Sequence, residues 1–252
     1  MKPDIVYEDE YMIAVIKPYG VPSQADQSNE EDMLSIVKNY LFDVSDSDEE
    51  PYLAVINRLD RPVSGIILFA KDEKTAAALS DMIQDRQIDK YYQAVVMGEP
   101  SEPEGDFSDY LVADKKTNMS KIVPKEPKGA KKAELSYEVL DGLDTDIGPL
   151  TYLLIQLHTG RHHQIRCQLA YHGMPIYGDK KYGRSPKADK NDRNSKGGKN
   201  NKKQSKGKQD KIREIGLYST RIEFTHPITG EEIVLHREPE GQAFDEIDDE
   251  EF

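Results

Sequence analysis

Asn57-Arg58-Leu59-Asp60-Arg61-Pro62-Val63-Ser64-Gly65, followed by Ile66-Ile67-Leu68-Phe69-Ala70-Lys71, sets a charged turn directly against a short apolar run. Pro62 and Gly65 mark a rigid turn, and residues 66–70 read as a strand. Residues 73–86 then read as a helix. Upstream, residues 11–17 (Tyr-Met-Ile-Ala-Val-Ile-Lys) form another apolar run, a buried strand stopped by Pro18 and Gly20. Met33, Leu34, Ile36, Val37, Tyr40 and Leu41 recur at helical spacing. Downstream, residues 91–97, 152–157, 216–224 and 232–236 read as strands. The last two flank His226-Pro227-Ile228-Thr229-Gly230, a hairpin-like turn. Strands and helices mix without the regular alternation of a parallel sheet, so the fold class is α+β. No internal repeat interrupts this pattern.

The opening stretch also carries chemistry. A carboxylate between two arginines has its ionised form stabilised, which suits Asp60 to the work of a nucleophile or charge partner. A turn held by structural salt bridges accounts for the same residues. A second segment, Gly160-Arg161-His162-His163-Gln164-Ile165-Arg166-Cys167-Gln168-Leu169, begins as a turn and continues as a helix. Ile165, Leu169 and His172 fall on one helical face, and Arg166 lies beside that stripe, where a guanidinium can enter a cleft and pair with a buried carboxylate. Adjacent His162 and His163 lack the spacing of a zinc pair, so no metal site is expected. Cys167 reads as a small buried packing residue. In the third segment, Asp89-Lys90-Tyr91-Tyr92-Gln93-Ala94-Val95-Val96, consecutive strand tyrosines face opposite sides. Either both are ordinary strand residues, or one lies in the core and the other lines a site and stacks on a planar ligand.

The chain has 252 residues with 47 acidic and 34 basic side chains, for a net charge of −13. That balance argues against a simple electrostatic binder of nucleic acid. The distribution is uneven. Residues 43–50 form an acidic loop, and residues 245–252 a tail with six acids in eight positions; both read as solvated or disordered. Residues 184–211 hold 11 Lys and Arg against 3 Asp, among Gly, Asn, Ser and Gln, and read as a flexible basic insertion. No run of 18 apolar residues spans a membrane, the first residues lack a signal-peptide core, and a single cysteine fits a reducing compartment. A cytoplasmic location follows.

Together the three segments resemble the RluA-like family of RNA pseudouridine synthases. The family's His-Arg-Leu-Asp-x-x-Thr/Ser-Gly-Leu-Leu-Leu-x-Ala-Lys is matched at 57–71, and its Lys-x-Tyr-x-Ala-Leu-Val-x-Gly at 90–98. Gly-Arg-x-His-Gln-Ile-Arg-x-x-Leu is matched at 160–169, and Gly-x-Pro-Ile-x-Gly-Asp-x-x-Tyr-Gly at 173–183. The opening Val/Ile-x-Lys-Pro-x-Gly fits residues 15–20, and His226-Pro227 fits the closing strand.

The resemblance implies one catalytic domain over 1–252, built on a mixed, largely antiparallel bent sheet flanked by helices, with a cleft across its middle. It implies Asp60 as the nucleophile on a target uridine, Arg166 as its ion-pair partner and Tyr92 as a stack on the uracil that assists loss of the C5 proton. Arg58 would replace the extruded nucleotide in the RNA stack, Arg61 would meet RNA near the cleft, and Arg161 and Gln164 would support the pocket and the RNA backbone. No cofactor or metal is implied, the partner is ribosomal RNA or tRNA, and the protein is expected to be a monomer. Asn57 departs from the family's usual His, which predicts modified RNA contacts. Catalytic sequence from about Ile5 leaves no room for an N-terminal S4-type domain. A non-catalytic RNA-binding module and a nucleoside hydrolase are the competing readings.

Overall fold

A computed structural model describes residues 1–26, 30–125, 128–183 and 214–248. Its strands are β1 (Asp4–Glu8), β2 (Met12–Lys17), β3 (Ala54–Val55), β4 (Ser64–Ala70), β5 (Asp89–Met97), β6 (Glu104–Asp114), β7 (Met119–Val123), β8 (Lys131–Thr145), β9 (Gly148–Leu157), β10 (Leu217–Thr225) and β11 (Glu232–His236). Its helices are α1 (Met33–Val44), α2 (Glu73–Gln84), α3 (Gln164–Tyr171) and α4 (Gln242–Asp248). The strands join one sheet in the order β1-β2-β4-β10-β5-β9-β8-β6-β7, with β3 added to β4 and β11 to β10. Only β4 and β10 pair in parallel among the described strands. The expected mixed, mostly antiparallel α+β fold is therefore present.

The apolar runs explain where the helices sit. Successive strand residues point to opposite faces. Met12 and Ala14 of β2 and Ile66, Leu68 and Ala70 of β4 meet Ala76 and Leu79 of α2. Ile13 and Val15, with Ile67 and Phe69, meet Met33, Ile36, Val37 and Leu41 of α1 on the other face. Both helices start on an aspartate cap: Asp32 accepts from Ser35 N, and Asp72 from Thr75 N.

A third cluster forms around β5, β8 and β9, where Ile165 and Leu169 of α3 pack on Ala94, Val96, Leu153 and Ile155. Leu59 and Val63 insert into the same cluster. The turn that carries Asp60 is thereby pinned on both sides to the core of the other half of the sheet.

Several local expectations change. Asp43 and Val44 complete α1 instead of opening an acidic loop. Asp245 lies in α4, whose Ala243 and Phe244 are buried, so the chain is ordered where a solvated tail was expected to begin. Residues 249–252 and the basic insertion at 184–211 lie outside the described residues. His172 is the exposed C-cap of α3, with its ring stacked on Phe107 at 3.8 Å. Cys167 is buried beside Leu111, Ala133, Ala170 and Tyr182, as expected.

Candidate active site

The turn before β4 is held by hydrogen bonds at nearly every residue. Val63 N donates to Asp60 O at 2.9 Å, and Gly20 N donates to Arg61 O at 3.0 Å. Ser23 Oγ donates to Leu59 O, and Leu59 N donates back to Ser23 Oγ. Lys17 is completely buried beneath the turn, and its ammonium donates to the carbonyls of Pro18, Val21 and Arg61. Three acceptors occupy all three ammonium protons, while burial pulls the Lys17 pKa down to about 7. Nothing local marked this lysine beyond its place in the Lys-Pro motif.

Asp60 obtains its cation from far along the chain. Arg166 Nη1 donates to Asp60 Oδ2 at 3.0 Å across 106 positions. The rest of the guanidinium forks onto Asp179, Nε to Oδ2 at 2.7 Å and Nη2 to Oδ1 at 2.9 Å. Asp179 also accepts from the backbone N–H of Lys181 and Tyr182. Burial alone would raise the Asp179 pKa, but Arg166 and those N–H groups outweigh it and hold the carboxyl below its usual range. The side chains of Arg166 and Asp179 are 4% and 0% exposed, and that of Asp60 is 24% exposed. One carboxylate is thus a sealed anchor and the other reaches the cleft. Oδ2 of Asp60 is held by Arg166, and among the described residues no hydrogen bond engages Oδ1.

The cleft has a volume of about 500 Å³ and is lined by residues 56–61, 160–166, Lys90 and Tyr92, among others. That falls within the roughly 300–1,000 Å³ of small-molecule sites. Tyr92 lies on β5 opposite Ser219 of β10 and is 6% exposed. Burial, followed by the Asp60 charge, raises its pKa strongly, so the phenol is protonated at neutral pH. Tyr91 faces away, with the Arg221 guanidinium 5.7 Å from its ring centre.

The remaining sequence-predicted residues divide. Arg58 is exposed at the cleft, with no hydrogen bond or ion pair among the described residues. Arg161 lines the cleft and donates through Nε to Lys132 O at 2.9 Å. Arg61 lines the rim but turns from Asp60: Nε donates to Gly20 O at 2.8 Å, and the guanidinium pairs with Glu30 and lies 3.8 Å from Asp26. The expected pairing with flanking arginines is corrected here, because neighbours in a turn point different ways and, among the described residues, Arg166 alone hydrogen-bonds the carboxylate. Gln164 is 3% exposed. Its carbonyl accepts from Thr159 Oγ1 and Arg161 N, and its amide donates to Glu134 O, so it braces the wall of the cleft. Asn57 lines the cleft, and its amide donates to Ile66 O and accepts from Leu68 N, extending the β3–β4 ladder. Among the described residues no cluster of His, Cys, Asp and Glu could hold a metal ion.

The RNA pseudouridylate synthase family profile matches residues 11–171, which contain Asp60, Tyr92 and Arg166. The chain belongs to this family. Its sequence is 28% identical over 242 residues to ribosomal large subunit pseudouridine synthase D of Vibrio cholerae, covering 92% of this chain and 66% of that protein. It is 29% identical over 249 residues to tRNA pseudouridine synthase C of Vibrio parahaemolyticus, covering 92% and 88%. The chain thus spans just under two thirds of the first relative and most of the second. The solved structure of human RNA pseudouridylate synthase domain containing 4 shares the fold, with a TM-score of 0.73 over 94% of this chain and 88% of that one, at 22% identity. Asp179 and Tyr182 lie just beyond the matched span. Their signal in the sequence was the segment Gly178-Asp179 to Tyr182-Gly183.

Proposed function

We propose that this chain is one catalytic domain that isomerises uridine to pseudouridine in a structured RNA, ribosomal or transfer. The observation that carries the reading is an aspartate with one oxygen fixed by a buried arginine and the other without a hydrogen bond among the described residues, at a nucleotide-sized cleft beside a buried tyrosine. Asp60 attacks the uridine through its free oxygen, at C1′ of the ribose or at C6 of the base. The C1′–N1 bond breaks, the uracil turns in the pocket, and C5 bonds to C1′. C5 then loses its proton and N1 gains one, so the product is an isomer and no external oxidant or energy source is needed.

Arg166 orients Asp60 through the hydrogen bond to Oδ2. Tyr92 supplies a flat surface against the uracil. Its phenol starts protonated and relays a proton from C5 only by passing its own onward. Asp60, free again as a carboxylate at that stage, is the ionised acceptor within reach. A base must leave its stack before such chemistry, at a cost of a few kcal/mol, and exposed Arg58 is placed to fill the gap.

The test uses transcripts of large-subunit rRNA and of tRNA labelled with [5-³H]uridine. The wild type releases tritium and forms pseudouridine. Asp60→Asn binds the same RNA and loses roughly 10⁴-fold or more in rate, the scale for removal of a nucleophile. Equal tritium release by wild type and mutant rejects the assignment, and release of free uracil redirects it to a nucleoside hydrolase.

A further inference from the structure

Behind Asp60 stands a chain of polar groups to which the sequence motifs assign no role. Ser120 N, on β7, donates to Tyr182 Oη at 2.6 Å. Tyr182 Oη lies 3.0 Å from His163 Nδ1. His163 Nε2 in turn faces Asp60 Oδ2 at 3.7 Å. His163 is buried, lines the cleft and sits at φ 51°, a left-handed conformation that a residue with a Cβ seldom adopts. Such backbone persists where surrounding contacts over-determine it, and it clusters at functional sites. His162 stacks on the ring at 3.8 Å, and the edge of Tyr182 meets it at 90°.

The direction of this chain follows from counting protons. The Tyr182 hydroxyl already accepts from a backbone N–H that has no proton to receive. Its one hydrogen is therefore free to go to Nδ1. A neutral imidazole that accepts at Nδ1 carries its proton on Nε2. We propose that Ser120, Tyr182 and His163 form a positioning relay that fixes the Nε2–H tautomer of His163 and aims it at the Asp60 oxygen already held by Arg166. The 3.7 Å gap closes to a hydrogen bond when substrate fills the cleft, and this second donor then keeps the carboxylate from rotating, so Oδ1 stays directed at the substrate. This relay rests on the isomerase reading given above.

The surroundings agree. Burial, against the opposing charge of Asp60, pulls the His163 pKa down to about 4, so the ring is neutral and holds a single proton. Burial raises the Tyr182 phenol to about 12, which keeps it a donor. Arg166 also lies over the Tyr182 ring at 5.3 Å, and Tyr182 N donates to Asp179. The segment from Asp179 to Tyr182 thereby supports both groups that face Oδ2.

Four variants and one spectrum test the relay in the full-length protein. His163→Phe keeps a flat ring and removes both nitrogens, whereas His163→Gln retains a terminal N–H of similar reach. Tyr182→Phe removes only the hydroxyl, and the double variant completes a cycle. On the tritiated rRNA and tRNA transcripts, His163→Phe should lower kcat at least tenfold with RNA affinity changed less than threefold. His163→Gln should recover most of that loss. Tyr182→Phe should cost several-fold alone and less than twofold in the His163→Phe background. The ¹⁵N shifts of His163 should report protonated Nε2 in the wild type and a mixture of tautomers in Tyr182→Phe. A His163→Phe enzyme with kcat within twofold of wild type overturns the relay, as does equal loss from Tyr182→Phe in both backgrounds. A spectrum showing the proton on Nδ1 overturns it without any activity measurement. If the wild type forms no pseudouridine, the isomerase reading fails, and the spectrum still decides the tautomer.

Discussion

Arg166 shares one guanidinium between two carboxylates of unequal exposure, and the sharing explains why both are needed. A buried cation with one partner removed leaves a charge uncompensated, a loss of about 3–5 kcal/mol. Asp179→Asn should therefore lower the unfolding free energy by about 3 kcal/mol and reduce kcat at least tenfold, because the guanidinium that orients Asp60 loses its anchor. Chemical denaturation and tritium release measure the two effects. The pH dependence has a definite sign. The Asp179 carboxyl is held below its unfolded value of 3.8, so its stabilisation is complete above that pH and is lost as pH falls through and below it. The variant should show a shallower acid limb in its stability profile. At this scale the sequence was informative about identity: Asp60, Tyr92 and Arg166 were all marked by residue type and motif. It was uninformative about direction. Arg61 adjoins Asp60 yet turns to Gly20 and Glu30, and Gln164 turns inward.

Among the elements, the junction of β4 with β10 is the most exacting. Gly65 sits at φ 114°, and a Cβ there would lie 2.4 Å from Ser219 O and 2.5 Å from Ser219 N. Both are backbone atoms that cannot move aside without breaking the parallel pairing of Tyr218 with Ser64 and Ser219 with Gly65. Gly65→Ala should cost about 3 kcal/mol or more, since it combines overpacking with a disfavoured φ. A lower urea midpoint would show it, and an unchanged midpoint would refute the close approach. In the sequence Gly65 reads as part of the turn around Asp60; its real constraint is a strand from the far end of the chain. Strands β2 and β4 were legible because both their faces are buried and their residues are uniformly apolar. Strands β6, β7 and β8 were not. Their polar outer faces, as in Lys131-Lys132-Ala133-Glu134-Leu135-Ser136-Tyr137, dilute the apolar signal to alternate positions.

Across the whole molecule, net charge and local field diverge. The total of −13 coexists with Arg58 and Arg161 at the cleft and with the +8 of residues 184–211, which follow directly on the segment holding Asp179 and Tyr182. If those lysines meet RNA phosphates, deleting 184–211 should weaken binding at low salt and flatten the dependence of log affinity on log salt. The slope should fall by about 0.7–0.9 for each phosphate that the lysines no longer neutralise. Filter binding between roughly 50 and 200 mM salt, the range over which such affinities change most, reads both effects, and identical slopes would show the segment to be only solvated.

By itself the sequence determined the α+β class, the two-faced strands, the helices laid on them and the segments whose residues line the cleft. These depend on periodicity and on short motifs, which act over a few neighbouring positions. Only the tertiary structure decided which carboxylate anchors the Arg166 guanidinium, and that His163 turns Nε2 toward Asp60 and Nδ1 toward Tyr182. Those contacts join residues 60, 120, 163, 166, 179 and 182. They exist because β10 closes on β4 while α3 packs on β5, β8 and β9, and burial of the whole core selects that pairing.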